Sequence, residues 1–270
     1  MPSGTPPGLA KGQSLALQEQ LSWFTVAILC GDRRHHGSGV PIKWKERVFL
    51  ATAKHLVKDE DDQKLGYLTR NGAALIDVVR KREVRSTFLA KREQVAARIE
   101  KPLPVVRRML AQASDLVLLE LDKSVALNEQ LRFYEPKSLD IRTPGPGEEV
   151  AVIGFSDDIS LRFKHLGTGI PVKMLGLWLD TPKIVESRDD LSSDFNRHTD
   201  FLMGYPYDEA EVADPHGMSG CGVWRLRRVK GDIWALASPE LVGVQTGWYT
   251  RSGLLTAVRI EVLNKLLSEL

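Results

Sequence analysis

Residues 22–57 read SWFTVAILCGDRRHHGSGVPIKWKERVFLATAKHLV, and this stretch decides the fold. Trp23 to Cys30 is β-branched, aromatic and apolar, the composition of a buried strand. The polar run from Gly31 to His36 reads as a turn. Gly39 to Trp44 and Arg47 to Ala53 then read as two strands joined by a Lys-Glu turn, and His55 follows the second at once. The same rhythm continues outward. Gly66 to Leu68, Ala74 to Val79, Leu116 to Leu121, Glu149 to Phe155 and Glu240 to Gly247 are further short strands, with a hairpin expected between Gly222–Leu226 and Ile233–Leu236. Only the end changes period. Val258, Val262, Leu263, Leu266, Leu267 and Leu270 fall near one helical face, as in a docked terminal helix. Many short strands with one late helix predict an all-β fold.

The totals fit one globular unit. At 270 residues the chain can bury a substantial core without disulfides. Apolar residues make up 43% and charged residues 27%, which excludes wholesale disorder. The 37 basic and 35 acidic residues nearly cancel, so the net charge gives no reason to expect a polyanionic partner. Two cysteines, Cys30 and Cys221, lean towards a reducing compartment. No signal-peptide pattern opens the chain and no apolar run approaches the ~20 residues of a membrane helix, so a soluble, cytoplasmic protein is expected. Residues 1–21 read as an N-terminal tail, 22–127 as a first half, 128–148 as a Pro-containing crossing and 149–270 as a second half.

Lys81 to Arg108 breaks the strand rhythm, with nine basic residues against three acidic ones and helix-forming composition from Ala90 to Glu100. It reads as a solvated insertion spanning about 80–108. A nucleic-acid patch would interleave aromatic residues among its basic ones, a pattern this segment lacks, so neither nucleic acid nor membrane is expected as a partner.

Three places carry residues suited to acyl transfer, which needs an activated nucleophile, a proton shuttle and donors for an oxyanion. Gly217-Met218-Ser219-Gly220 is a turn whose glycines admit backbone angles closed to other residues. In such a turn a serine hydroxyl points outward while the N–H groups of Gly217 and Ser219 converge. Thr52-Ala53-Lys54-His55 ends an apolar strand on a histidine, the side chain that titrates nearest neutral pH. Ser114-Asp115 places a carboxylate at the mouth of the apolar run Leu116 to Leu121. Taken singly, each has an ordinary structural reading: a Gly-Ser turn, a core histidine, a strand-start cap.

In the order His, Asp, Ser, with similar gaps, these segments resemble the trypsin-like (chymotrypsin-fold) serine peptidases. Thr52–His55 is similar to that family's T-A-x-H motif, Ser114–Leu119 to its Asp-then-apolar strand, and Gly217–Gly220 to its G-x-S-G turn. Leu241-Val242-Gly243-Val244 with Gln245-Thr246-Gly247 resembles the strand that binds substrate backbone beside the specificity pocket. The resemblance spans residues 22–267. It implies two six-stranded-type antiparallel barrels with a C-terminal helix, His55 and Asp115 on the first barrel and Ser219 on the second. It implies a serine endopeptidase without cofactor or metal, acting on protein or peptide substrates. Ser219 is then the nucleophile, His55 the base, Asp115 its orienting acid, and the N–H groups of Gly217 and Ser219 the oxyanion hole.

The departures narrow this expectation. Digestive members of the family carry Asp just before the nucleophile; Met218 stands there, which excludes activation by that ion pair, although bacterial housekeeping members also lack it. The pocket-base position is Ala213, with Asp214 beside it, so a preference for Lys or Arg has no support. Cys221 sits two positions out of register for a nucleophile. His35 and His36 read as surface residues, and His216 is a candidate for the substrate cleft. No metal-ligand spacing occurs. The competing readings are an inactive trypsin-like fold serving as a protein-binding module, and a nucleic-acid protein using 80–108. For a bacterial, cytoplasmic protease, control through a regulatory protein partner at the 80–108 segment is expected.

Overall fold

The computed structural model describes residues 19–30, 34–58, 65–68, 74–78, 84–86, 101–102, 105–111, 114–122, 131–146, 148–156, 173–180, 195–205, 215–226 and 239–270. The first half contributes β1 (Val26–Cys30), β2 (Arg34–Trp44), β3 (Arg47–Ala53), the short helix α1 (Lys54–Val57), β4 (Leu65–Leu68), β5 (Ala74–Val78), β6 (Val84–Ser86), β7 (Lys101–Pro102), β8 (Val105–Leu110) and β9 (Leu116–Leu121). The second contributes β10 (Glu149–Phe155), β11 (Lys173–Asp180), β12 (Asp200–Gly204), β13 (Gly222–Leu226), β14 (Pro239–Tyr249), β15 (Leu254–Arg259) and the helix α2 (Ile260–Ser268).

Two sheets result. The first runs β7-β4-β1-β2-β3-β9-β8 and the second β12-β15-β14-β13-β10-β11-β5-β6. The all-β expectation with a closing helix holds. The two halves are not separate in their pairing, however, because β5 and β6 join the second sheet through a parallel pairing of β5 with β11. Among the described residues the first sheet has seven strands, and the second has six with β5 and β6 added at its edge.

The central strands are apolar on both sides because both sides are buried. Along β3, Val48 and Leu50 enter the interior of the first sheet, while Phe49 and Ala51 enter the core shared with the second. Strand β9 divides likewise, Leu116 and Leu118 to the shared core, Val117, Leu119 and Leu121 to the other. In β10, Ala151, Ile153 and Phe155 face the shared core and Val150 and Val152 the interior of the second sheet. Period-two alternation thus sorts a continuous apolar run between two cores. Each fully buried Leu, Val or Phe contributes about 1.5–3 kcal/mol. Trp224, wholly buried, lies tilted against Phe24 at 5.6 Å and meets Tyr134 edge-on at 5.2 Å between centroids.

The crossing segment is held to both sheets. Tyr134 exchanges backbone hydrogen bonds with Pro41 and Lys43, and its hydroxyl accepts from the Leu241 N–H at 3.3 Å. Asn264 of α2 donates to the carbonyls of Leu139 and Ile141. The helix buries Ile260, Leu263, Asn264 and Leu267; it starts at Ile260, so Val258 serves in β15 instead.

Two further expectations are corrected. The turn placed at 31–36 is strand from Arg34 onward, because β2 extends to pair Arg34 with Cys30 and His35 with Leu29. The 80–108 segment is not simply an insertion: β6 and β7 lie in it, β8 begins in it, and β8 pairs along β9. Edge strands tolerate charge because one side faces water, which is why Arg107 and Arg108 disguise β8. Residues 87–100 and 233–236 lie outside the described residues. No described helix is long and apolar enough to cross a membrane.

Candidate active site

Strand β3 ends at Ala53, and the chain turns into α1 with its N-cap residue still extended. That turn brings His55 against the start of β9, because β3 and β9 pair from Val48–Leu121 to Ala53–Leu116. Asp115, one residue beyond the pairing, receives two hydrogen bonds from His55. Its Oδ1 accepts from the backbone N–H at 2.8 Å, and its Oδ2 lies 2.5 Å from Nδ1 of the ring. The Lys54 N–H also donates to the Asp115 carbonyl at 3.1 Å, so main chain and side chain hold the pair together. The imidazole is 49% exposed and the carboxylate 35%, so the pair is accessible from solvent.

The Ser219 turn docks between β2 and β14. Pairing of β2 with β3 runs only from Trp44–Arg47 to Val40–Ala51. Beyond it the freed edge of β2 is taken by Ser219, whose carbonyl accepts from the Ser38 N–H at 2.7 Å. On the other flank, Gly220 donates to the Gln245 carbonyl and Gln245 donates to that of Cys221, which ties the turn to β14. The Ser219 hydroxyl lies 3.5 Å from the Thr246 carbonyl.

Glycine is required at two places here. Gly220 has φ +91°, and a Cβ there would overlap the Ser38 carbonyl and Thr52 Oγ1. A Cβ at Gly37 would overlap the Leu56 side chain and lie 2.9 Å from the Ser219 carbonyl. Leu56, next to His55, and Ser219 therefore approach the same glycine. The histidine turn and the serine turn are neighbours across Gly37 and Ser38.

Within the serine turn, Met218 donates to Pro215 and its carbonyl accepts from Cys221, each at 3.0 Å. Gly217 has φ +85°. Among the described residues, neither the Gly217 nor the Ser219 N–H donates to a protein acceptor. Met218 is fully buried, where an aspartate would have needed a partner. Cys221 is also fully buried, and burial pushes its thiol well above the ordinary range, which disfavours the nucleophilic thiolate. His216 packs edge-on to Trp248 at 5.2 Å, and Tyr205 meets the same indole at 6.1 Å. Gln245 is 1% exposed, with its Nε2 donating to the Gly247 carbonyl at 3.0 Å. Ala213 and Asp214 lie outside the described residues, as do the side chains of His35 and His36. Among the described residues no cluster of His, Cys, Asp and Glu could hold a metal ion.

Similarity to solved structures bears on this arrangement. The scabies mite inactivated protease paralogue S-I1 superposes with a TM-score of 0.58 over 92% of this chain and 94% of its own, at 16% identity. The chain has the trypsin-like double-barrel fold. A human heparin binding protein shares the trypsin-like fold at a TM-score of 0.56 and 14% identity, covering 94% of this chain and 92% of that one. At such identity the likeness speaks for the trypsin-like fold alone. No family model matches the sequence, and no curated protein does.

Sequence reasoning missed Ser38 and Trp248. Ser38 was legible in principle as the centre of Gly37-Ser38-Gly39 ahead of a strand, and Trp248 as an aromatic residue directly after Gln245-Thr246-Gly247.

Proposed function

We propose that this protein is a serine endopeptidase that cleaves peptide bonds through Ser219, His55 and Asp115. The observation that carries this reading is the double hydrogen bond from His55 to Asp115. A carboxylate bound to Nδ1 fixes the tautomer with a proton on that atom, so Nε2 is left as a base. Ser219 Oγ attacks the scissile carbonyl, and its proton passes to Nε2 of His55. The proton then moves to the departing amine as the C–N bond breaks, leaving an acyl-enzyme. Water repeats the sequence, with His55 as base again, and frees Ser219. The N–H groups of Gly217 and Ser219, which have no protein acceptor among the described residues, suit the developing oxyanion. The main chain of Gln245 is already bonded to Gly220 and Cys221, so extended substrate pairs with Thr246 and Gly247 by strand addition, and His216 lines the cleft with Trp248.

A second reading is an inactive module that binds a protein partner. It is in keeping with one structural neighbour, which is described as an inactivated protease paralogue. A fluorophosphonate probe separates the two. Labelling of the wild-type protein that disappears in Ser219→Ala supports the peptidase; absence of labelling in the folded wild type overturns it. Digestion of a diverse peptide library then reads the cleavage preference.

A further inference from the structure

Ser38 is wholly buried, yet every polar atom it owns reaches towards the site. Its N–H donates to the Ser219 carbonyl at 2.7 Å. Its carbonyl accepts from Thr52 Oγ1, three residues before His55, at 2.7 Å. Its hydroxyl accepts from the Phe155 N–H of β10 at 2.9 Å and donates to the Gly217 carbonyl at 3.2 Å. One side chain thereby joins β2, β10 and the serine turn, while its own backbone joins the histidine strand to that turn.

We infer that Ser38 is a positioning residue for the oxyanion site, its hydroxyl holding the Gly217–Met218 peptide so that the Gly217 N–H stays aimed at the cleft. This rests on the peptidase reading above. The argument is conformational. Glycine has no Cβ to restrict rotation, so at φ +85° the planes on either side of Gly217 can turn at little cost unless something fixes them. The plane on its C-terminal side is fixed at both ends: the Gly217 carbonyl by Ser38 Oγ, and the Met218 N–H by the Pro215 carbonyl. With that plane fixed, rotation about Gly217 is confined, and the N–H it carries remains where a carbonyl oxygen would develop charge. A hydroxyl is suited to this position because it donates once and accepts at the same time. Alanine does neither, and it takes away the oxygen that Ser38 offers to the Phe155 N–H.

The flanking glycines belong to the same device. Gly37 makes room for Leu56 and the Ser219 carbonyl, and a Cβ at Gly39 would lie 2.7 Å from Leu50 Cδ1. The Gly-Ser-Gly tripeptide is thus a socket into which the serine turn seats.

The test uses the whole protein, a fluorophosphonate and p-nitrophenyl acetate. Saturation kinetics of fluorophosphonate labelling separate the inactivation rate constant from the binding constant of the probe. In Ser38→Ala the rate constant is expected to fall ~10–100-fold, below the ~10²–10³ for outright loss of an oxyanion donor. The probe's binding constant stays within about threefold. Ser38→Thr, which keeps the hydroxyl, recovers most of the rate. Turnover of p-nitrophenyl acetate follows the same order. Where Ser38→Ala does not fold, Ser38→Cys, similar in size but a weak donor, carries the comparison. A labelling rate constant within twofold of wild type in the folded variant overturns the inference and leaves the peptidase reading intact. So does a loss that tracks melting temperature alone. A wild type that takes no label removes both.

Discussion

Replacing Asp115 by asparagine keeps the side chain's shape and removes one acceptor. The amide oxygen of the replacement still accepts from the His55 N–H, where the carboxylate does so at 2.8 Å. Its NH₂ group then faces Nδ1, where Oδ2 stood at 2.5 Å. Two N–H groups cannot share that contact, so the ring must carry its proton on Nε2 instead. A protonated Nε2 cannot accept from Ser219. The general template for this loss is ~10⁴ in turnover. Here the two side chains are 49% and 35% exposed, so water screens part of their interaction. The expected loss is ~10³–10⁴, about 4–5.5 kcal/mol of transition-state stabilisation. Stability should hardly change, since a pair this exposed is worth about 1 kcal/mol or less, or ~2–4 °C in melting temperature. Fluorophosphonate labelling rate and thermal unfolding are measured side by side on Asp115→Asn. A labelling rate within tenfold of wild type would refute the tautomer argument. A collapse of stability matching the loss of labelling would refute the claim that the pair serves chemistry.

Further outcomes follow from other contacts. Gly220→Ala combines a positive φ with overlap on the Ser38 carbonyl and should cost about 2–5 kcal/mol in urea unfolding, with labelling lost where the fold survives. Glu120 receives a bidentate hydrogen bond from Arg47, which holds its carboxyl below the ordinary value of 4.5. A carboxyl depressed in the folded state adds stability above its unfolded pKa and loses it as pH falls through the folded one. Stability of the wild type should therefore drop below about pH 4.5 by more than that of Glu120→Gln, read from acid titration of the melting temperature. Iodoacetamide on the native protein should leave Cys221 unmodified by peptide mapping, since its thiol is fully buried and its pKa is raised. Modification of Cys221 on the native timescale would contradict that burial.

Much of the fold is legible in the sequence, and the reason is visible in β3, β9 and β10. Each is apolar on two faces, so the run from Arg47 to Ala53, Leu116 to Leu121 and Glu149 to Phe155 coincides with the observed strand to the residue. Strands whose ends leave the core are harder to read. Arg34-His35-His36 are polar, which imitates a turn, yet the backbone there pairs with β1. Strand β8 hides behind two arginines because it is an edge. The His55–Asp115 contact is legible as spacing, because both residues sit one or two positions past the paired ends of β3 and β9. The role of Ser38 is not, since its partners lie on segments distant in the chain and no local pattern names them. The exchange of β5 and β6 into the second sheet is equally silent, as pairing partners are a property of topology rather than of composition.

That exchange has a consequence for how the molecule comes into being. Residues 173–175 must be synthesised before the β5–β6 ribbon has a sheet to join. The amino-terminal portion, released alone, would carry a two-stranded ribbon with no sheet to dock on, and the carboxy-terminal portion alone would lack its outermost staves. Splitting the gene between the two lobes should therefore yield fragments that are soluble only when made together.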